Sequence, residues 1–588
     1  MPDDRYPPIA DHAVVGDGET AALVGLDARI GWACLPRFDS PAVLASLLDA
    51  DRGGRWDLPV EGVTGTSQRY VEDTAVVVTQ LRTADGVLEV TDVLAVAGEF
   101  EEKRSAARQT LLRRLRVVEG RVRVASDLRG FDGAAVDGAR VPLPGGEGGR
   151  TLRLRSSRPG AEAHELVAGD TWTLALTWAE EPEVWTPAEV DAAIEETIRV
   201  WRSWAEHVTY SGPYVDAVRR SAITLKVCDH HVSGAVVAAV TSSLPEAIGG
   251  ERNWDYRFTW VRDAAYTVYA MRRVGMVEES DGFLDWVLDA CTHDDGRPDV
   301  LYTLDGHIPG EEQDDDRYEG YRGSRPVRWG NGAAGQLQHD VYGEILDCAW
   351  QFVRAGGQVD DRRFDRLRHL ATLARENAET PDQGIWEIRD AGRPFTYSVA
   401  MCQVALDRFA RIARATGREE SALEWEEAAE ALRAELLERA WSAEDGCFTE
   451  HLDQPGTLDA SLLALPLRRV VDAADPRMVA TTAAVVDKLR AGEDLLYRYL
   501  HTDSPDGLEG EEGAFLLCSF WWVDNLVQSG RVEQARDLFE KLLRRQNHVG
   551  LLSEEIDPEN GEFLGNFPQA FSHIGLISSA VLLDRAAG

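Results

Sequence analysis

Thr186-Pro-Ala-Glu-Val-Asp-Ala-Ala-Ile-Glu-Glu-Thr-Ile-Arg-Val-Trp-Arg-Ser-Trp-Ala-Glu-His207 is where the chain changes its hydrophobic period. Thr186 reads as a helix N-cap with Pro187 in the first helical position, and the residues that follow keep helical spacing. Upstream, the apolar runs are short, β-branched and partly of period two: Thr74–Arg82, Gln109–Val118, Thr151–Arg155 and Thr171–Trp178. Turn signals such as Ala84-Asp-Gly86 separate them. Short strands broken by turns predict an antiparallel β-sandwich over residues 1–185, with 186–212 as a helical linker.

Downstream, residues 213–588 read as helix after helix. The pattern predicts twelve, at 214–232, 263–275, 281–292, 332–355, 361–378, 396–415, 419–440, 458–469, 475–490, 513–528, 531–546 and 568–586. Long connections rich in Trp, Gly and acids alternate with short ones, at 233–262, 293–331, 379–395, 441–457, 491–512 and 547–567. Twelve helices with a long loop at every second connection predict an (α/α)6 barrel whose long loops share one rim. Long loops in a compact domain usually carry function.

The charge balance narrows the partners. With 62 Lys and Arg against 101 Asp and Glu, the 588-residue chain carries a net charge of −39. That excess disfavours nucleic acid and anionic membrane surfaces. No apolar stretch reaches the ~20 residues of a transmembrane helix, and the polar segment Met1–Asp17 lacks the pattern of a signal peptide. The seven cysteines are scattered without a CxxC pair, as expected of reduced thiols in a cytoplasmic protein.

Four loops concentrate chemistry. Gly249-Gly-Glu-Arg-Asn-Trp-Asp-Tyr-Arg-Phe-Thr-Trp-Val-Arg-Asp263 joins two indoles, three arginines and three carboxylates. Such a set suits a sugar, whose apolar face lies on an aromatic ring and whose hydroxyls need donors and acceptors; it suits a structural Arg–Asp network at a helix start equally well. Gln383-Gly-Ile-Trp-Glu387 puts a carboxyl beside an indole, where desolvation could keep it protonated as a general acid. Gly550-Leu-Leu-Ser-Glu-Glu-Ile-Asp557 offers two adjacent acids, one of which could take a proton from water. Tyr497-Arg-Tyr499 and Gly507-Leu-Glu-Gly-Glu-Glu512 add an arginine and further carboxylates. His573 reads as a hydrogen-bonding helper at a helix start, and the acid run Glu311–Asp316 as a solvated loop. No metal, Walker or dinucleotide-binding motif is present, so neither a metal nor a cofactor is expected.

At these residues the chain resembles the inverting glucoamylase-like enzymes of glycoside hydrolase family 15, in the prokaryotic branch that contains trehalases and glucoamylases. Ala13-Val-Val-Gly-Asp-Gly18, Cys34-Leu-Pro-Arg-Phe-Asp-Ser-Pro41, Asn253–Asp263, Glu319–Arg328, Gly384-Ile-Trp-Glu387 and Gly565–His573 carry the resemblance over nearly the whole length. It implies a β-sandwich joined to a catalytic (α/α)6 barrel. It implies that Glu387 is the general acid and Glu554 the general base. Arg262 and Asp263 would then hold the terminal sugar, Tyr256 would orient the base and its water, and Arg498 would face the substrate. Trp260, Trp386, Trp329 and Glu555 complete the implied substrate-binding set. The spacing from Trp329 to Asp340 departs from the family pattern, and the sandwich loop Arg37–Ser40 is a further candidate to reach the pocket.

The implied activity is inverting exo-hydrolysis of an α-linked glucoside, with trehalose the first expectation and an α-1,4- or α-1,6-glucan the alternative. A phosphorolytic transferase on the same barrel would need a phosphate pocket in place of the base; Glu554-Glu555 and the lack of nearby Lys count against it. A non-catalytic sugar-binding protein would have lost one of the two carboxylates.

Overall fold

The computed structural model describes residues 5–100, 104–133, 141–142, 151–158, 162–179, 185–276, 278–291, 296–508 and 510–587. The first part is the expected antiparallel sandwich. Its strands are β1 (His12–Gly16), β2 (Ala21–Gly25), β3 (Ile30–Cys34), β4 (Ala42–Ala45), β5 (Arg55–Asp57), β6 (Val63–Tyr70) and β7 (Val77–Thr83), followed by β8 (Gly86–Val96), β9 (Ala107–Val124), β10 (Asp127–Arg129), β11 (Val141–Pro142), β12 (Thr151–Ser156), β13 (His164–Val167) and β14 (Thr171–Thr177). One sheet runs β1-β2-β3-β5-β10 with β4 on β3; the other runs β11-β12-β14-β9-β8-β7-β6 with β13 on β9.

Helix α1 (Pro187–Ala205) begins as its sequence predicts. Thr186 accepts the Glu189 amide, Glu189 reaches back to the Thr186 amide, and Pro187 sits at the first position. The helix is more than a connection. Val190, Ala193 and Ile194 pack on Val93, Ala95, Leu112 and Ala175 of the larger sheet. This third layer explains why β14 is buried on both faces instead of alternating.

Among the described residues a helix follows within each of the twelve expected stretches, two of them shorter than expected: α2 (Val215–Cys228), α3 (Val261–Arg273), α4 (Glu278–Ala290), α5 (Asp340–Arg354), α6 (Asp361–Asn377), α7 (Thr396–Ala415), α8 (Glu419–Arg439), α9 (Ala464–Leu467), α10 (Pro476–Leu489), α11 (Leu516–Gln528), α12 (Val532–Leu543) and α13 (Ala570–Ala587). The stretch expected as one helix at 458–469 is a 3-10 turn (Ala460–Leu463) running into the single turn of α9. The expected start at 332 is likewise a 3-10 turn, and α5 begins only at Asp340.

The odd-numbered helices from α3 to α13 pack side by side into a closed inner ring, and the even-numbered ones from α2 to α12 cover it. Sequence decides which is which. Inner helices are mostly apolar or small over their amino-terminal turns and buried there on every face, as in 396–406 of α7 and 570–581 of α13. Outer helices bury one stripe: Phe364, Leu367, Leu370, Ala371 and Ala374 in α6, and Ala535, Leu538, Phe539 and Leu542 in α12. At the closest approach of α5 to α7, Gly343 faces the Met401 carbonyl so tightly that a Cβ would lie 2.3 Å from its oxygen.

Sandwich and barrel share one continuous apolar core. The Trp32 indole donates to the Val240 carbonyl (2.8 Å) and stacks on Trp329. Arg257 reaches back to the Ser40 carbonyl (2.6 Å), and Asn547 donates to the carbonyls of Ala10 and His12. Among the described residues, no helix is long and apolar enough to cross a membrane. All seven cysteines are free thiols, six of them buried.

Candidate active site

A pocket of about 680 Å³, counting its open mouth, lies where the long loops meet the amino ends of the inner helices. Five of the six long connections reach it, the second through Asn331 at its edge; the stretch 441–457 does not line it. Of the expected site residues, Tyr256, Trp260, Arg262, Asp263, Trp386, Glu387, Arg498 and Glu554 line this one pocket.

Glu387 is held by two donors on one oxygen: Trp260 Nε1 at 2.6 Å and Arg262 Nη2 at 3.0 Å from Oε1. The indole that serves it is therefore Trp260, not the neighbouring Trp386. The Trp386 indole points away and donates to Asp459 Oδ2 at 2.5 Å. Glu387 has φ +62°, a left-handed backbone that a side-chain-bearing residue rarely adopts. This backbone turns the carboxyl of Glu387 and the indole of Trp386 apart, and such strain gathers at functional sites.

Arg262 and Asp263 open the first turn of α3. The Arg262 guanidinium is shared among Gln338 Oε1 (2.8 Å), Asp340 Oδ2 (3.3 Å) and Glu387, so the paired network read from the sequence exists and faces the pocket. Asp263 is buried, and burial pushes its carboxyl up to about 7 against the opposing pull of Arg262.

Opposite stands Glu554, buried, with Oε1 accepting the Tyr256 hydroxyl at 2.7 Å and Oε2 without a partner among the described residues. Burial, then the nearby Glu246 carboxylate, push its carboxyl well above the usual range, while Arg498 and the Tyr256 hydrogen bond pull the other way. The carboxylate approaches the short strand Phe563–Leu564 so closely that a Cβ on Gly565 (φ +70°) would lie 2.5 Å from Glu554 Oε2. Neutral His573, lowered to about 3 by burial, accepts the Leu552 amide at 3.2 Å and ties this loop to α13.

Glu555 does not face the pocket. Successive residues of an extended segment point to opposite sides, and Glu555 turns to the Gly513 amide (2.8 Å) and to the buried acids Glu246 and Glu512. Arg498 supplies the countercharge, gripping Glu512 through two nitrogens (2.8 and 2.6 Å) and Glu246 through one (3.1 Å). Trp329 also stands apart. It donates to Asp315 Oδ2 (2.9 Å), stacks on Trp32, and lines a separate cavity against the sandwich together with Asp39. The Arg37–Ser40 loop likewise stops short, braced by Arg257 beside Tyr256. Within the acid run, Glu312 is not merely solvated: it pairs with Arg389 at 2.8 Å through both oxygens.

Sequence reading missed several lining residues, among them Glu246, Arg252, Trp254, Arg389 and Asp506. Arg389 lies over one ring of Trp254 (4.4 Å) and Arg328 also lies over that indole (4.5 Å). Arg252 is locked to Asp506 at 2.6 Å. Trp254 and Arg252 lay inside the quoted stretch at 249–263; the others carry no local signal.

The comparisons agree with this architecture. A model described as glycosyl hydrolases family 15 matches residues 212–581, and one described as trehalase-like, N-terminal, matches residues 2–126. Relatives named trehalase include those of Mycolicibacterium smegmatis (35% identical, 99% of this chain and 92% of that one), Thermoplasma volcanium (34%, 99% and 94%) and Mycobacterium tuberculosis (36%, 99% and 90%). A bacterial glucoamylase solved with acarbose superposes with a TM-score of 0.70 at 13% identity over 100% of this chain and 96% of that one, a likeness of fold. With that match spanning the whole barrel, and with these relatives aligned from end to end, the chain belongs to glycosyl hydrolase family 15 and is a glycoside hydrolase.

Proposed function

We propose that the protein is an inverting trehalase, with Glu387 as general acid and Glu554 as general base. The observation that carries the mechanism is the unequal setting of the two carboxyls around one pocket: Glu387 is gripped by Trp260 and Arg262, and Glu554 by Tyr256. Glu387 gives its proton to the glycosidic oxygen while Glu554 takes one from a water on the opposite face of the ring. An inverting pair stands about 6.5–9.5 Å apart to admit that water. Arg262 and Asp263 hold hydroxyls of the terminal glucose, Arg498 faces the substrate, and Trp260 and Trp386 wall the sugar ring. We assign residues 1–185 to the sandwich, 186–212 to the helical linker and 213–588 to the catalytic barrel, in a cytoplasmic enzyme.

Support for trehalose is the end-to-end similarity to proteins named trehalase. The test is an anomer-resolved NMR time course on trehalose, maltose and isomaltose. Trehalose joins two α-anomeric carbons, so inversion at one of them releases one β-glucose and one α-glucose in equal initial amounts. Release of α-glucose alone would refute inversion, and faster turnover of maltose or isomaltose would replace trehalase by an α-glucan exo-glucosidase.

A further inference from the structure

We propose that Arg389 and Trp254 form the subsite that holds the leaving glucose, with Glu312 as the residue that positions Arg389. The proposal rests on the reading of Glu387 as the general acid of a trehalase. Arg389 follows Glu387 by two residues, and both line the same pocket. Exposure orders that pocket from floor to mouth. The Arg262 side chain, in the first turn of α3, is 6% exposed, that of Glu387 23% and that of Arg389 28%. With the terminal glucose held on the floor by Arg262 and Asp263, the second ring of a disaccharide lies beyond Glu387, on the side of Arg389.

The guanidinium is fixed before any sugar arrives. Nη1 and Nη2 donate to the two oxygens of Glu312, each at 2.8 Å. Glu312 is itself held by the Gly332 amide, 2.9 Å from Oε2, and by Arg328 Nε, 3.6 Å from Oε1. Gly332 fits closely against the fork: a Cβ there would lie 3.1 Å from Arg389 Nη1. The Arg389 amide donates to the Asp506 carbonyl at 2.7 Å. Its guanidinium lies 4.4 Å over a ring of the buried Trp254, which Arg328 also covers at 4.5 Å.

Donor capacity is what remains. A guanidinium has five N–H groups, and Glu312 accepts from two of its nitrogens without using the Nε proton. Charge does not remain. Glu312 neutralises the fork, and the carboxylates of Glu387 and Glu246, both pocket residues, further favour its charged form. Such a group has no positive surplus with which to draw an anion. It suits a neutral polyol, whose hydroxyl oxygens accept from a charged donor more strongly than from a neutral one. Because the fork is already ordered, little conformational freedom is lost when the sugar binds.

The test compares trehalose with α-glucosyl fluoride, which has the same terminal glucose and no leaving sugar. It is run on the wild type, Arg389→Ala and Glu312→Gln. Arg389→Ala should lose about tenfold to a hundredfold in kcat/KM on trehalose and turn over the fluoride as the wild type does. Glu312→Gln keeps the side-chain shape but no longer accepts from both nitrogens of the fork. It should lose on trehalose in the same direction and likewise spare the fluoride. A glucose-like inhibitor of the terminal-sugar site should bind all three proteins alike. Unchanged kcat/KM on trehalose in Arg389→Ala would overturn the proposal. Equal losses on both substrates would also overturn it, and would make Arg389 a support of Glu387 instead. A wild type that hydrolyses the fluoride and maltose but not trehalose would refute the trehalase reading alone; the same comparison with maltose as the disaccharide then decides the subsite.

Discussion

The Tyr256 hydroxyl donates to Glu554 Oε1 at 2.7 Å, and Glu554 Oε2 is left without a partner among the described residues. One oxygen is thereby oriented while the other, buried, keeps its acceptor capacity unspent. The hydrogen bond favours the ionised carboxylate, so its loss should raise the pKa of Glu554 further. A base works only when deprotonated, and its activity rises with pH through that pKa. Tyr256→Phe should therefore shift the acidic limb of the kcat/KM profile to higher pH and lower the plateau about tenfold or more. An acidic limb that stays in place would separate Tyr256 from the base.

Glu554 and Glu555 are neighbours in sequence with opposite surroundings. Glu554→Ala should abolish hydrolysis and regain turnover with added azide, which attacks without a base and gives an inverted glycosyl azide. Glu555→Ala should show no such rescue, and should instead lose thermal stability, because Glu246 and Glu512 keep Arg498 while the Gly513 amide loses the shorter of its two acceptors and keeps only the Glu246 carbonyl. Azide rescue confined to Glu555→Ala would reverse the assignment.

Glu387→Gln keeps the shape of the side chain but has no proton to give. Turnover of trehalose should fall by about 10²–10⁴-fold, while the affinity for a glucose-like inhibitor changes little. A substrate with an activated leaving group, which needs no protonation, should be hydrolysed far better than trehalose by this variant. Equal losses on both substrates would argue against an acid role.

Asp263 couples binding to stability with opposite signs. In the unfolded chain its carboxyl titrates near 3.8, and in the fold burial raises it to about 7. The stability tied to this group is thus full below about pH 4 and is lost as pH rises through about 7, to an extent on the order of 4 kcal/mol. Asp263→Asn should raise the Tm above pH 7, with the gain shrinking toward pH 4, and should weaken a glucose-like inhibitor about 10-fold to 100-fold. A variant that is stabilised yet binds the inhibitor normally would make Asp263 structural.

Gly565→Ala should be disproportionately harmful for one methyl group. Its Cβ would sit 2.5 Å from Glu554 Oε2 and 2.8 Å from the Glu554 Cβ, on a backbone of positive φ. The expected outcome is a loss of about 1–3 kcal/mol in stability together with a fall in kcat. Wild-type kcat would show that the base does not depend on this approach.

The fold was legible because period alone separates its halves: the change at Thr186 and the alternation of long and short connections needed no partner residues to be seen. The placement of α1 as a third layer was not legible, since its apolar stripe says only that one face is buried, not against what. In the pocket, residues clustered within one loop, such as Arg262 and Asp263, could be read together. Glu246 and Arg389 could not, because each acquires its meaning from partners far away in sequence, Arg498 and Glu312. Trp329 misled for a related reason: an indole beside a Gly turn reads the same whether it walls a sugar or, as here, stacks on Trp32 at the sandwich.

Arg257, next to Tyr256 in the chain, is held by Asp255 through Nε and Nη2 and extends Nη1 across the junction to the carbonyls of Ser40 and Phe38 and to the Cys34 thiol. The amino-terminal half is thus a splint for the hairpin that aims Tyr256 at Glu554. Two halves built this way are poor candidates for modular exchange. A chimaera that joins this barrel to another sandwich would inherit a misaligned water-orienting tyrosine unless the Cys34–Ser40 edge travels with the barrel. Excision of the first 185 residues would, by the same logic, silence the enzyme even where every pocket residue is retained.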